Sequence, residues 1–307
     1  MFLYNVQAAY LMNFSRPFDM SRRRWRRRLS PAKALFYSVR NSVCAGMVKN
    51  AVFGYWYPEN NFGDRLTPDV LRYYGLTPFF TPEFDDCEVV SVGSILELVP
   101  ESFKGTILGT GFLLPETDKT FPEAQVLAVR GKLTARKLSL PDTVALGDPG
   151  ILADRVYEQK ISHVPKTYTL GVVPHYKEMH FPALRNFLKR YSDDICLINV
   201  CREPGKVIRD IAACRHIASS SLHGLVVAHS LGIPACPLTL SGKLRGGTFK
   251  FRDYYSIYDM EPVFHPLSGN ESLRELCGLS TAVDPQRIAE AKDTLHSVFL
   301  NYANGQC

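Results

Sequence analysis

The chain reads as an α/β protein of two Rossmann-like domains that face each other across a cleft. Three observations predict this. From Met47 onward, short apolar runs of strand length alternate with stretches of helical period; a polar, charged segment at 154–166 interrupts the alternation once before it resumes; and the residues suited to holding a ligand stand where strands end. Strands separated by helices imply parallel sheets covered on both faces. With 307 residues the chain is long enough for two cores. The expected organisation is a basic N-terminal segment 1–46, a first domain 47–155, a linker 156–167 and a second domain 168–307 that ends in a long helix.

Taken in order, the first domain should hold strands at 48–55, 88–92, 106–109, 126–129 and 143–146, with helices at 66–74 and 132–138. The second should begin with strand 168–173, helix 183–191, strand 195–200 and helix 206–214. A strand ending at Ala218 follows, then the serines Ser219, Ser220 and Ser221, a helix from Leu222 to Gly232 and a strand over 234–238. Pro285 suits a first helical position, and Ile288, Leu295, Val298, Phe299 and Tyr302 fall on a helical period, so the chain closes on an amphipathic helix.

Hydrophobic residues at 46% and charged residues at 21% are the balance of a soluble globular protein, and no uncharged apolar run approaches the roughly 18 residues of a membrane span. The eight cysteines are scattered without a C-x-x-C pair, which points to a reduced cytoplasmic protein without a metal centre. The net charge of +6 equals the six arginines of Arg22–Arg28. Basicity is therefore local, which argues against a nucleic-acid-binding face. Trp25, Leu29, Leu35, Phe36 and Tyr37 interleave with that cluster at roughly helical spacing. Such a segment lies well on an anionic membrane surface, each cation contributing about 1 kcal/mol. That would make the protein peripheral on the inner face of the plasma membrane, although a solvated basic helix or a disordered arm accounts for the same residues.

Candidate site residues follow from the strand exits, where an open α/β sheet binds its ligands. The serine turn presents a helix N-terminus to an anion, with His223 beside it. After the first strand, YPENNFGD supplies Asn60, Asn61 and Asp64, the last of which also suits a helix cap. Arg130 ends a strand and opens a helix, a place from which a guanidinium grips a carboxylate or phosphate, or simply extends into solvent. Asp148 in LGDPG is either a cap before Pro149 or a chemical group. His175 and Lys177 follow the first strand of the second domain, and KLRGGTFKFRDYY carries Lys243, Arg245, Lys250 and Arg252 in what reads as a basic loop. There is no G-x-G-x-x-G turn after the first strand, and Walker, G-x-S-x-G and H-E-x-x-H motifs are absent.

NFGDRLTP, VRGKLTARKL, LGDPGIL and SSSLHGLVVAHSLGIP, in that order and spacing, resemble the polysaccharide pyruvyl transferase family, and GVVPHY and KFRDYY resemble its exopolysaccharide branch. The resemblance, over about residues 50–260, implies a GT-B-like fold and transfer of a pyruvyl group from phosphoenolpyruvate onto two hydroxyls of a sugar as a ketal. It implies His223 as general acid or base and Arg130 as a catalytic, donor-holding cation, with no cofactor beyond the donor substrate. Asn61, Asp64, Asp148, His175, Ser219, Ser220, Ser221, Lys250 and Arg252 become the expected substrate contacts, and the expected acceptor is a lipid-linked saccharide. The family often has an arginine where Ser221 stands, so the cation for the donor must come from elsewhere, from the basic stretch or the turn itself. Two other readings stay open: a GT-B-type glycosyltransferase using a nucleotide sugar, and a non-catalytic membrane adaptor.

Overall fold

The computed structural model describes Val43 and residues 46–59, 61–242 and 244–305. The arginine cluster and the rest of the basic segment 1–42, together with Cys44, Asn60, Lys243 and Cys307, lie outside the described residues.

Two parallel sheets form, as the alternation implies. The first orders its strands β2-β1-β3-β4-β5-β6, from β1 (Ala51–Tyr55), β2 (Thr77–Phe80), β3 (Val89–Val90), β4 (Thr106–Leu108), β5 (Gln125–Val129) and β6 (Ala145–Leu146). The second runs β11-β10-β9-β7-β8, from β7 (Tyr168–Val173), β8 (Ile195–Leu197), β9 (Cys214–Ser219), β10 (Ala235–Thr239) and β11 (His265–Pro266). The fold is the expected α/β class. In each sheet the strand order reverses once, between β1 and β3 and between β7 and β9. Those reversals open the crevices in which such sheets hold ligands.

The helices that position the site are α1 (Leu66–Tyr73), α2 (Lys132–Lys137), α3 (Ala153–Val156), α4 (Glu158–Ile161), α5 (Pro182–Arg190), α6 (Pro204–Ala212) and α7 (Leu222–Ser230). After them come α8 (Phe249–Tyr255), α9 (Leu273–Gly278) and α10 (Pro285–Ala303). Every residue of α7 is buried. An all-round apolar helix sits inside the fold and shows no amphipathic period, so its flanking serines and Gly232, rather than periodicity, reveal it in the sequence.

Four expectations change. Strand β2 carries Pro78, which hides it from a pattern search; it is tolerated because β2 is the edge of its sheet. The expected polar linker is instead wound into α3 and α4, and its start is pinned to both halves. Its Tyr157 hydroxyl bonds to Asp69, and Asp154 accepts from Ser230 at 3.1 Å and from Lys292 at 2.7 Å. The basic loop is helical from Phe249, as α8. Finally, α10 belongs to the second half by sequence but packs on β5, β6 and the 3-10 turn Pro149–Leu152 of the first. Ile288, Leu295 and Phe299 face inward there, and Leu295 occupies the space beside Gly147 that a Cβ would need. One apolar cluster consequently runs through both halves, from Val52 and Leu66 to Leu225 and Phe299.

Candidate active site

Both sheet crevices open onto the same place. The loop leaving β1 is tied across to the second half by the Phe62 N–H, which donates to the Val200 carbonyl at 2.8 Å. Asn61 Nδ2 donates to Asp64 Oδ2 at 2.8 Å. Asp64 is not the cap of α1; Arg65 holds that position. Instead the Asp64 carboxyl turns into the crevice, where burial raises its pKa against the pull of His223, Asn61 and Lys250.

His223 occupies the first turn of α7, as the sequence suggests. Its ring is 5% exposed and lies so close to the Gly63 backbone that a Cβ there would stand 1.9 Å from Nδ1. Only glycine fits. Nε2 stands 3.6 Å from Asp148 Oδ2, and among the described residues neither atom has a hydrogen-bond partner although both are buried. The other Asp148 oxygen caps the turn Pro149–Leu152 through the Gly150 N–H at 2.9 Å. Asp148 thus serves both readings, one oxygen holding backbone and one facing the imidazole. A shift of a few tenths of an ångström would close a histidine–carboxylate pair, the arrangement that orients an imidazole for proton transfer.

The serine turn divides its labour. Ser219 Oγ lies 2.8 Å from the Val173 carbonyl and 2.7 Å from that of Ser221, and accepts from the Ser221 N–H at 3.0 Å. Ser220 Oγ donates to Glu178 Oε2 at 2.7 Å and accepts from the His175 N–H at 2.9 Å. Both hydroxyls are committed to the fold, which corrects the expectation that they hold substrate. Ser221 makes no side-chain cap, so the first-turn N–H groups of α7 remain available to an anion.

Arg130 holds an anion, but the anion is the protein's own. Its Nε and Nη2 lie 2.9 and 2.8 Å from Asp253 Oδ2, Nη1 meets Ser94 Oγ at 2.5 Å and Nη2 meets the Phe112 carbonyl at 2.5 Å, all with the side chain fully buried. Asp253 also accepts from the Thr134 N–H at 2.8 Å and hydroxyl at 2.6 Å. Arg130 is therefore a cross-link between the two halves, which corrects its expected place as donor-holding cation. Arg252 is corrected too: it is exposed and pairs with Glu261 at 2.6 Å.

Lys250 does reach the site. It is half-buried and forms no ion pair among the described residues; burial brings its pKa down to about 8, opposed by Asp64 and Glu178 and reinforced by Arg130 and Lys177. His175 packs against Tyr176 with ring centroids 4.4 Å apart and the rings tilted by 35°, and burial, with Lys250 and Lys177 nearby, lowers its pKa to about 3. Its Nδ1 accepts from the Lys177 N–H at 3.3 Å. The imidazole is consequently neutral.

Two contributors escaped the sequence reading. Glu178 is buried and takes Ser220 Oγ together with the Ser241 N–H and hydroxyl at 2.9 and 2.5 Å, joining the exits of β7, β9 and β10. Asp253 neutralises Arg130 from 123 residues away, with nothing local to mark the pairing. Among the described residues no group of three or more His, Cys, Asp or Glu side chains is arranged to hold a metal ion, and no helix is long and apolar enough to cross a membrane.

A family model described as polysaccharide pyruvyl transferase matches residues 14–242. An uncharacterised protein of Acanthamoeba polyphaga mimivirus is 33% identical over 220 residues, 67% of this chain and 74% of that one. The succinoglycan biosynthesis protein ExoV of Rhizobium meliloti is 27% identical over 208 residues, 65% of this chain and 62% of that one. Among solved structures, the wall teichoic acid polymerase TagF superposes with a TM-score of 0.44 at 9% identity, covering 91% of this chain and 96% of that one. An uncharacterised protein of Klebsiella pneumoniae gives 0.41 at 14% identity, covering 77% and 99%.

Proposed function

Since the chain belongs to the polysaccharide pyruvyl transferase family, we propose that it transfers a pyruvyl group from phosphoenolpyruvate onto two hydroxyls of a saccharide in exopolysaccharide synthesis, closing a cyclic ketal. The observation that carries this reading is a single constellation: His223 facing Asp148 at the uncapped start of α7, with Lys250, which forms no ion pair among the described residues, in the same crevice. Its relation to a succinoglycan biosynthesis protein supports the polysaccharide setting.

The chemistry balances as follows. The donor methylene gains one proton and becomes a methyl group, both sugar oxygens bond to the former enol carbon, and the bond from that carbon to the phosphate oxygen breaks. Of the two hydroxyl protons, one ends on the methyl group and the other on the departing phosphate. A small trianionic donor needs cations and free backbone donors. Lys250 and the first-turn N–H groups of α7 serve that need here, and Ser221 leaves the turn uncapped for it. His223 relays the proton, with Asp148 stabilising the imidazolium while it exists and Asp64 alongside. Arg130 acts indirectly, by holding α8, and with it Lys250, against the first half.

The test is phosphate release from phosphoenolpyruvate with an acceptor saccharide. His223→Ala should lower the rate by about 10²-fold or more, the usual size of acid–base catalysis; near-normal turnover would exclude the assignment. Thermal stabilisation by phosphoenolpyruvate, and none by nucleotide sugars, separates this reaction from glycosyl transfer, because a ligand stabilises the state it binds. Residues 1–46 carry the proposed contact with an anionic membrane at the cytoplasmic face, where a lipid-linked acceptor is presented. Deleting them should abolish vesicle binding and spare activity on a short soluble saccharide.

A further inference from the structure

Beside the donor crevice stands a second group of side chains that proton transfer and anion binding do not use. Tyr57 and Glu59 leave β1, and Tyr176 leaves β7, so they stand at the two strand-order reversals, one from each half. Tyr57 Oη donates to Glu59 Oε1 at 3.4 Å, and burial together with the neighbouring Glu59 carboxylate raises the Tyr176 phenol pKa. Among the described residues, Glu59 Oε2 is buried without a hydrogen-bond partner. An orphaned acceptor in a half-buried position has a desolvation cost that a donor from a ligand would relieve. Tyr57, Tyr176 and His175 are each half-buried, with the imidazole tilted against the Tyr176 ring at a centroid distance of 4.4 Å.

These features call for a particular ligand chemistry. A carboxylate oxygen that lacks a donor wants a hydroxyl or N–H. The flanking rings offer an apolar face to C–H groups, and the carboxylate repels an anion. An uncharged, hydroxyl-rich ring meets all three conditions, whereas the trianionic donor meets none. Both tyrosines feel the charge of Asp64, as His223 does, so the cluster borders the reacting centre and not a remote surface. Burial raises both phenol pKa values, which keeps both hydroxyls as donors.

We propose that Tyr57, Glu59 and Tyr176 form the acceptor subsite, binding a neutral pyranose through a sugar hydroxyl on Glu59 Oε2 and its C–H face against the Tyr176 and His175 rings. The assignment of this ring as the acceptor rests on the pyruvyl transfer reading; the saccharide site itself does not.

Saturation-transfer NMR on the full chain tests it, with methyl β-glucopyranoside and methyl β-galactopyranoside as neutral probes and methyl β-glucuronide as the charged control. At least one neutral glycoside should take up saturation and the glucuronide should not. Glu59→Gln, of the same shape, should reduce the neutral signal at least threefold, and Tyr176→Phe should weaken it while leaving the fold intact. Absence of neutral-glycoside binding to the wild type, equal binding of the glucuronide, or an unchanged signal in Glu59→Gln would each overturn the subsite. In parallel, stabilisation of Glu59→Gln by phosphoenolpyruvate should match the wild type; loss of that stabilisation would place Glu59 with the donor and overturn the proposal. If the wild type itself shows no stabilisation by phosphoenolpyruvate, the donor reading fails while the glycoside result still decides the subsite. Where turnover is measurable, Glu59→Gln should raise the acceptor KM about tenfold and leave the donor KM unchanged.

Discussion

Replacing Asp253 by asparagine distinguishes an architectural Arg130 from a donor-binding one. Both side chains of the pair are 0% exposed, and Asp253 takes two guanidinium contacts, at 2.8 and 2.9 Å, plus two bonds from Thr134. Asparagine keeps the shape and one acceptor oxygen but removes the charge, leaving a buried guanidinium without a counter-ion. Breaking a buried pair in this way costs about 3–5 kcal/mol. At roughly 2–4 °C per kcal/mol for a chain of this size, Tm should fall by about 10 °C. The assay is a thermal-melt cycle of Asp253→Asn, Arg130→Met and the double variant. Because the loss comes from an uncompensated charge, the double variant should be less destabilised than the two singles added together. Additive effects of less than about 1 kcal/mol each would refute the reasoning. If Arg130→Met melted normally yet lost stabilisation by phosphoenolpyruvate, Arg130 would return to the donor site.

Three further outcomes follow from the same geometry. Lys250 has a pKa of about 8, so it is charged below that pH and neutral above it; donor affinity should fall as pH rises through 8. Binding titrations of Lys250→Arg should keep the affinity to higher pH, and Lys250→Met should lose it throughout. His229 is buried against the Tyr254 hydroxyl at 3.1 Å, and burial lowers its pKa to about 3 from 6.5. The unfolded chain therefore binds the extra proton between those values, so this group costs stability as pH falls below about 6.5, at a limiting slope of about 1.4 kcal/mol per pH unit. Denaturant unfolding of His229→Gln should show a shallower acid slope. Gly63→Ala would push a methyl group into the His223 ring; turnover should drop at least tenfold, and normal turnover with an unchanged Tm would show that the ring is not held there.

Much of the fold is visible in the sequence because it is set by local chemistry. Parallel strands buried on both faces are apolar runs, α1 and α10 declare themselves by period and by Pro285, and the serine turn and His223 mark the start of α7 without help from periodicity. Strand β2 is hidden because Pro78 is acceptable only at a sheet edge, and edge position is a property of the assembled sheet. Glu59 and Tyr176 lie inside stretches that the strand exits single out, but their meeting depends on two strand-order reversals facing each other.

The sequence by itself determined the α/β class, the two sheets, the four exit motifs and the location of His223, Asp64 and Asp148, since each depends on residues within a few positions of one another. Only the tertiary structure decided which charges are free. Arg130, Ser219 and Ser220 have the residue types of an anion site, yet packing gives them Asp253, the Val173 carbonyl and Glu178 as partners. Lys250, one of several basic residues in its stretch, is the one that α8 turns toward Asp64, while Arg252 turns out to Glu261. A charge acts on a ligand only if no nearer partner neutralises it, and the nearest partner here lies up to 123 residues away along the chain.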